Sequence, residues 1–439
     1  MKNISVIGLG KLGTPFAITL ASRGFSVIGI DIDSKSVLSL KTGKFGIYEP
    51  LINNLWSKNK SLIKATIDYK EAIQDSEITF IIVPTPSQKN GSFSNFYVKK
   101  ALEKIGKILK DKDKFHLISL VSTVVPTSSE LEFIPLLEKQ SGKKVGRDFG
   151  FCYNPAFIAL GSVVKNLLEP DFVLIGESDK KSGDVLEKFY QRFCINNPPI
   201  MRMNLVNAEI AKLSLNTFIT TKISYANMIG HLCEVIPDAD ANIVLKAIGQ
   251  DRRVGSLYLK AASCYGGPCF PRDNKALISV GKKFGISLPI AKATDKINDR
   301  HSQNIFKRIK KLVTKKDKIT ILGMSYKPDT DVIEKSQGTI LVDLLINEGY
   351  QVTVYDPKAL RNVKKLFGKK IRYSQNLENS LKSSTIMVIA TNWKEFEKIN
   401  NKQIKLMKKN PIIFDCWGLL EGKDLGRARY LRNGKYEKI

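Results

Sequence analysis

The sequence predicts an α/β fold: two Rossmann-like doubly wound domains joined by a long central helix and a helical dimerisation segment. Three observations carry that prediction. The apolar run Ile4–Ile7 passes directly into Gly8-Leu-Gly10-Lys-Leu-Gly13. A helical pattern opening at Leu205 meets neither Pro nor Gly until Gly230. Strand and helix patterns then alternate afresh from Lys318–Leu322 onward. A chain of 439 residues is also too long for one core. The expected boundaries are 1–200, 201–312 and 313–439.

After the glycine turn a helix runs from Leu12 to about Arg23, stopped by Gly24, and a second strand, Ser26–Ile30, ends in Asp31. This is the strand–turn–helix–strand–acid unit of a dinucleotide site. Gly8 makes the tight turn, Gly10 admits a pyrophosphate, and Gly13 lets helix pack on strand. Asp31 suits the adenosine ribose hydroxyls, which favours NAD over the 2′-phosphate of NADP. Further strands are expected near Ile63–Ile67, Glu77–Val83 and Phe115–Val121, with a helix near Asn95–Leu109. Pro84-Thr85-Pro86 and Ser122-Thr123 close two of these strands. Ligands sit beyond the C-terminal strand ends of such folds, so Thr85 and Thr123 are expected at the nicotinamide end. Strands Phe149–Tyr153 and Phe172–Ile175 bracket the loop Asn154-Pro155-Ala156-Phe157-Ile158-Ala159-Leu160-Gly161.

On the helix from Leu205, Lys212 and Asn216 lie one turn apart and share a face. Apolar Ala211, Leu213 and Leu215 beside them allow a buried lysine next to an amide, against the plainer reading of a solvated lysine. A helix joining two α/β halves is also a dimer surface. Further helices are expected at Ala239–Ile248, Arg272–Lys283 and Ala291–Val313.

Between them lies Cys264–Ala276, C-Y-G-G-P-C-F-P-R-D-N-K-A. Glycines let the backbone approach a ligand closely and the prolines fix the loop. A helix opening at Pro271 would leave Cys269 at its positive end, which favours thiolate; the alternative is an inert core cysteine. The last section passes through Gly323-Met324-Ser325-Tyr326-Lys327-Pro328, a helix near Thr339–Asn347, strand Gln351–Tyr355 with Asp356, and strands Thr385–Ala390 and Ile412–Phe414. It repeats the first section's logic without the full glycine fingerprint. From about Arg432 the chain reads as a loose basic tail.

Composition narrows the partners. Six cysteines without paired spacing indicate reduced thiols and a cytoplasmic setting. The three histidines, His116, His231 and His301, are scattered, so no metal site is expected. Lys2 and the apolar residues to Leu20 resemble an export leader, but three glycines and Lys11 interrupt the run. No stretch is apolar enough to span a membrane. The net charge of +28 comes from lysines spread along the chain, with one dense run at Lys307–Lys318, so a solvated surface is expected rather than a nucleic-acid partner.

Together the motifs resemble the UDP-glucose/GDP-mannose dehydrogenase family of NAD-dependent nucleotide-sugar 6-dehydrogenases. The resemblance rests on Gly8-x-Gly10-x-x-Gly13 with Asp31, Tyr48-Glu49-Pro50, Pro84-Thr85-Pro86, Ser122-Thr123-Val124, Asn154-Pro155-x-Phe157, Lys212-x-x-x-Asn216, Gly267-x-Cys269-x-Pro271-Arg272-Asp273 and Tyr326-Lys327-Pro328, in order along the whole chain. It implies an NAD-binding domain at 1–200, a dimer-forming helical domain carrying the nucleophile at 201–312, and a nucleotide-sugar domain at 313–439. It also implies four-electron oxidation of a sugar hydroxymethyl, with Cys269 as nucleophile and Lys212, Asn216, Asp273 and Thr123 around the catalytic water. Lys35, Arg272 and Thr85 match cofactor-contacting positions. Phe157, Arg253, Tyr258, Gly266 and Lys327 match sugar-nucleotide positions, and a homodimer binding a UDP-hexose such as UDP-glucose is implied.

Two departures stand out. The family loop reads N-P-E-F-L-x-E-G, whereas this chain has Ala156 and Leu160. Leu160 matches a branch reading E-F-I-A-L-G, but a methyl at 156 takes no proton, so thioester hydrolysis is expected to be impaired. The family arginine after the Lys-Pro motif falls near Glu334. The rival readings are a single-oxidation 3-hydroxyacid-type dehydrogenase, which lacks the Cys269 motif, and a non-catalytic relative that binds nucleotide-sugars.

Overall fold

The computed structural model describes residues 2–437. The chain divides into two compact units, Met1–Ser214 with Lys282–Phe284, and Leu215–Gly281 with Gly285–Ile439. The first is built on strands β1 (Asn3–Ile7), β2 (Ser26–Ile30), β3 (Ile63–Thr66), β4 (Ile78–Ile81), β5 (His116–Leu120), β6 (Phe149–Tyr153), β7 (Val173–Glu177) and β8 (Ile200–Asn204). They form one sheet in the order β3-β2-β1-β4-β5-β6-β7-β8. Every pairing is parallel except β6 with β7.

Helices cover both faces of such a sheet, so its central strands must be apolar throughout. β4 is Ile-Thr-Phe-Ile and wholly buried, and Thr79 is admitted because its hydroxyl bonds Ser5 Oγ at 2.6 Å and His116 Nε2 at 2.7 Å. One apolar core lies on each face. The first gathers Phe16, Phe80 and Phe189, with ring centroids 4.9 Å apart for Phe16–Phe80 and 5.0 Å for Phe80–Phe189. Strand order reverses at β1, between β2 and β4. A crevice opens at such a reversal, beyond the strands' C-terminal ends.

The second unit carries a smaller parallel sheet of β9 (Lys318–Leu322), β10 (Gln351–Tyr355), β11 (Arg372–Tyr373), β12 (Ile386–Ile389), β13 (Ile412–Asp415) and β14 (Arg429–Arg432). Its order, β11-β10-β9-β12-β13-β14, repeats the reversal at β9. Its helical part contains Ala241–Ile248, Phe270–Lys283 and Pro289–Leu312. The central helix, Leu205–Cys233, runs on through Gly230 and contributes to both units.

The C-terminal segment corrects the sequence expectation. Arg432 is no tail residue but ends β14, 1% exposed, ion-paired to Asp240 and to Glu421 at 2.9 Å. Asn433 Nδ2 donates to the Ala262 carbonyl at 2.7 Å and Gly434 N to Glu234 Oε1 at 2.9 Å. Those partners lie far back in the sequence, which is why local composition concealed the segment's order. Lys438 and Ile439 lie outside the described residues.

Candidate active site

In the first unit the glycine turn is built as its residue types require. Gly8 has φ +96°, and a Cβ there would meet the Ile82 carbonyl at 2.2 Å. A Cβ at Gly13 would lie 1.7 Å from the Gly8 carbonyl oxygen, so only glycine lets the helix Gly13–Ser22 start against the turn. At Gly10 nothing lies within 4 Å, which leaves room for a bulky anion above the helix N-terminus. Asp31 accepts Leu9 N at 2.7 Å and Asp33 N at 2.9 Å, so its carboxylate is locked to the turn. Asp33 in turn caps the helix carrying Lys35, accepting Lys35 N at 3.0 Å. Ile32 and Ile67, 72% and 64% exposed, follow β2 and β3 beside Asp31. Exposed isoleucines at strand ends are ready-made walls for a flat apolar ring, and sequence reasoning missed them. These features fit an NAD dinucleotide.

The two threonines expected at the nicotinamide end meet: Thr85 Oγ1 donates to the Thr123 carbonyl at 2.8 Å. The loop after β5 is also held from the central helix, where Glu209, 0% exposed, accepts Thr127 N at 2.6 Å and Ser129 N at 2.9 Å. Thr127 takes φ +78° to present that N–H, a costly conformation for a β-branched residue. Burial outweighs the hydrogen bonds and raises the Glu209 carboxyl to about 7. No motif flags Glu209, because its role depends on a loop remote in sequence.

One turn beyond Glu209, Lys212 is buried. Its Nζ donates to the Ala156 carbonyl at 2.9 Å and lies 4.5 Å from the centroid of the Phe157 ring. The structure therefore gives the less obvious of the two expected environments for this lysine. Glu49, from the Tyr-Glu-Pro motif, fixes the same loop's far end by accepting Gly161 N at 2.8 Å and Val163 N at 2.7 Å.

In the second unit Cys269 is exposed at the start of the helix Phe270–Lys283, and its carbonyl accepts Arg272 N at 3.1 Å and Asp273 N at 2.9 Å. It thus stands at the N-cap, where the helix dipole favours negative charge. Asp273, 4% exposed, accepts Asn216 Nδ2 at 2.5 Å. The glycines before Cys269 permit contacts that a side chain would block. A Cβ on Gly266 would meet the Lys335 carbonyl at 2.2 Å, and one on Gly267 the Tyr326 ring at 2.6 Å. Tyr326 thereby lies against the Cys269 loop, with Lys327 next to it in sequence and in the same unit. Arg253 forks onto Asp251, with Nη2–Oδ2 at 2.7 Å, and Tyr258 is 51% exposed at φ +64°. Both lie on the surface loop that precedes Ala261.

The loop is gripped from the helix Pro289–Leu312. Asn298 accepts Tyr265 N at 2.9 Å and donates to its carbonyl at 3.0 Å, while His301 Nε2 donates to the Ala262 carbonyl at 2.6 Å. Among the described residues, no group of three or more His, Cys, Asp or Glu is arranged to hold a metal ion, and no helix is long and apolar enough to cross a membrane.

Three family models match the chain: the NAD binding domain of the UDP-glucose/GDP-mannose dehydrogenase family at 2–194, its central domain at 206–300 and its UDP binding domain at 320–422. The chain is 33% identical to a UDP-glucose 6-dehydrogenase of Haloferax volcanii over 93% of its own length and 95% of the relative's. It is 34% identical to a GDP-mannose 6-dehydrogenase of Pseudomonas savastanoi pv. phaseolicola over 80% of each. Among solved structures, a UDP-glucose dehydrogenase from Pyrobaculum islandicum superposes with TM-score 0.90 at 28% identity, covering 100% of this chain and 98% of that one. A UDP-D-ManNAc dehydrogenase from Pyrococcus horikoshii follows at TM-score 0.83 and 26% identity, covering 98% and 99%.

Proposed function

Because the chain belongs to the UDP-glucose/GDP-mannose dehydrogenase family of NAD-dependent nucleotide-sugar 6-dehydrogenases, we propose that its own substrate is a UDP-hexose, with UDP-glucose foremost, oxidised through Cys269. The observation that carries this reading is the pairing of an exposed cysteine at a helix N-cap with Asp273 one turn on, itself bonded to Asn216. Support for a UDP sugar comes from the UDP binding domain match and from relatives acting on UDP-glucose.

The overall change is R–CH2OH + H2O + 2 NAD+ → R–COO− + 2 NADH + 3 H+. Bound NAD+ supplies the hydride acceptor for both oxidations. We assign Gly8, Gly10, Gly13, Asp31, Lys35, Thr85, Thr123 and Arg272 to holding it. Phe157, Arg253, Tyr258, Gly266 and Lys327 are assigned to the nucleotide-sugar. In the first oxidation C6 loses hydride while its hydroxyl proton passes to a water held by Lys212, Asn216 and Asp273, with Thr123 orienting that water. The Cys269 sulfur then bonds the aldehyde carbon and the carbonyl oxygen takes a proton, giving a thiohemiacetal. Lys212 and Asn216 offset the developing oxyanion charge. Loss of the remaining C6 hydride and the hydroxyl proton leaves a thioester, which water cleaves to acid and free thiol.

Ala156 makes that last step the slow one, since a methyl group takes no proton from the attacking water. NADH formation followed at 340 nm across UDP- and GDP-sugars tests both parts. The expected course is a burst of two NADH per site followed by slower turnover. No NADH from any sugar, with NAD still bound, would sink the catalytic reading.

A further inference from the structure

A closed triangle of hydrogen bonds straddles the Cys269 loop. Tyr265, which precedes the cysteine, donates its hydroxyl to Asp295 Oδ1 at 2.5 Å. Asn274, which follows it, donates Nδ2 to the Tyr265 hydroxyl at 3.0 Å and to the same Asp295 oxygen at 2.9 Å. The remaining acceptor of Asn274 takes the Thr220 hydroxyl at 3.1 Å. Thr220 lies one turn beyond Asn216 on the central helix, and Asn274 adjoins Asp273. Asn274 is 0% exposed and Tyr265 5%, while Asp295 is half-buried, so two of the triangle's three corners are withheld from water. Burial, with the Asp295 carboxylate beside it, pushes the Tyr265 hydroxyl far above its ordinary range and keeps it a donor.

The chain thus enters and leaves the cysteine turn through side chains tied to one carboxylate oxygen on another helix. We propose that Asp295, acting through Tyr265 and Asn274, is a positioning residue that fixes Cys269 relative to Asp273, so that the aldehyde of the first oxidation is captured before it escapes. This rests on the reading of Cys269 as nucleophile. The geometry that matters is relative. Asp273 belongs to the proton-accepting side of the site and Cys269 to the carbon-attacking side, and the triangle spans the segment carrying both. A sub-ångström slip between them leaves hydride loss possible while spoiling the sulfur's approach.

The test is a single turnover, with full-length enzyme in excess over UDP-glucose, counting NADH per sugar while a hydrazide probe traps free aldehyde. This count does not depend on how fast the thioester hydrolyses. The wild type is expected to give two NADH and no trapped aldehyde. Tyr265→Phe removes the oxygen at the centre of the triangle, and Asp295→Ala removes the shared acceptor. Both are expected to fall toward one NADH, with aldehyde trapped in proportion and the KM for NAD within about twofold of wild type, since a few tenths of a kcal/mol separate such values. Asp295→Asn keeps Oδ1 and both bonds, so it is expected to restore two NADH.

Two NADH and no aldehyde from both disruptive variants, even at reduced rate, overturns the proposal, because loss of fold alone removes active sites without changing the stoichiometry. Failure of Asp295→Asn to restore the count overturns the acceptor argument. A wild type that yields no NADH from any UDP- or GDP-sugar, or a Cys269→Ser variant that forms acid at the wild-type rate, overturns the cysteine reading and this proposal with it.

Discussion

One buried carboxylate and one missing carboxylate set the expectations at the scale of single residues. At position 156 the chain offers only a backbone carbonyl, which receives Lys212 Nζ at 2.9 Å. If hydrolysis is slow for want of a base, Ala156→Glu is expected to raise steady-state turnover about tenfold or more and to abolish the two-NADH burst, because positioned general bases contribute on the order of a hundredfold. Unchanged burst kinetics would show that hydrolysis is not limited at this position. Glu209 gives a pH expectation. Its carboxyl, ordinarily near 4.5, is raised to about 7 by burial, so between those values the folded state holds more protons than the unfolded. Stability from this group is therefore full below about pH 4.5 and is lost as pH rises to about 7, by up to about 3 kcal/mol. Urea unfolding of wild type minus Glu209→Gln is expected to show that slope in the window and to be flat above it. Of these residues, sequence reasoning reached Ala156 and Lys212 because a motif surrounds them. Glu209 and Asp295 were invisible, since what makes each matter is a partner distant in sequence.

Elements were legible where local chemistry dictated them and obscure where tertiary contacts did. The first glycine turn is contiguous, so its geometry could be read directly. The second half has the same construction spread apart. A Cβ on Gly338 would meet the Gly323 carbonyl oxygen at 2.3 Å, repeating the Gly13–Gly8 contact with a long loop inserted between. Its acid is also different in kind. Asp356, 1% exposed, accepts Met324 N at 2.7 Å, Ser325 N at 3.0 Å, Lys358 N at 2.8 Å and Ala359 N at 2.7 Å, so it is consumed by the turn where Asp31 stays at the rim. The helix Pro289–Leu312 buries polar Thr294, Asn298, His301 and Ser302 before apolar Ile305, Phe306 and Ile309, because its first half faces loop backbone and its second a core. Asn298→Leu would strand the Tyr265 N–H and carbonyl, costing about 2–4 kcal/mol in urea unfolding. The C-terminal segment yields a sharper contrast. Ending the chain at Leu431 removes Arg432 from Asp240 and Glu421, the Asn433 bond to Ala262 and the Gly434 bond to Glu234. A buried cation lost from its partners costs about 3–5 kcal/mol, so the truncated protein is expected to unfold at markedly lower urea. A loose tail would leave the midpoint unmoved.

For the molecule as a whole, charge and apolar surface point in opposite directions. A net charge of +28 opposes association of like chains. Yet the central helix exposes Phe218 at 65%, Tyr225 at 43%, Met228 at 43% and Leu232 at 53%, and Val235, Ile236, Ile243 and Val244, later in the chain, are exposed as well. Phe218, Tyr225 and Leu232 recur every second turn, so they form a stripe rather than a scatter. An apolar stripe of this length left in water is the mark of an interface. The homodimer expected from the sequence would set this helix against its counterpart in a second copy, the arrangement a twofold axis imposes when one patch must serve both partners. Salt then separates this from association through charge. Salt screens the repulsion between like-charged subunits without weakening apolar burial, so the dimer is expected to tighten, or at least to persist, from 0.05 to 1 M NaCl. A charge-mediated pair would dissociate over the same range. Phe218→Lys with Leu232→Lys places two more cations on each copy at the stripe and is expected to give monomers by sedimentation velocity at concentrations where the wild type is dimeric. Because both side chains are exposed within one chain, the substitutions remove no core packing, and the monomer is expected to keep the wild-type urea midpoint. Persisting dimers in the double variant would move the interface elsewhere on the surface.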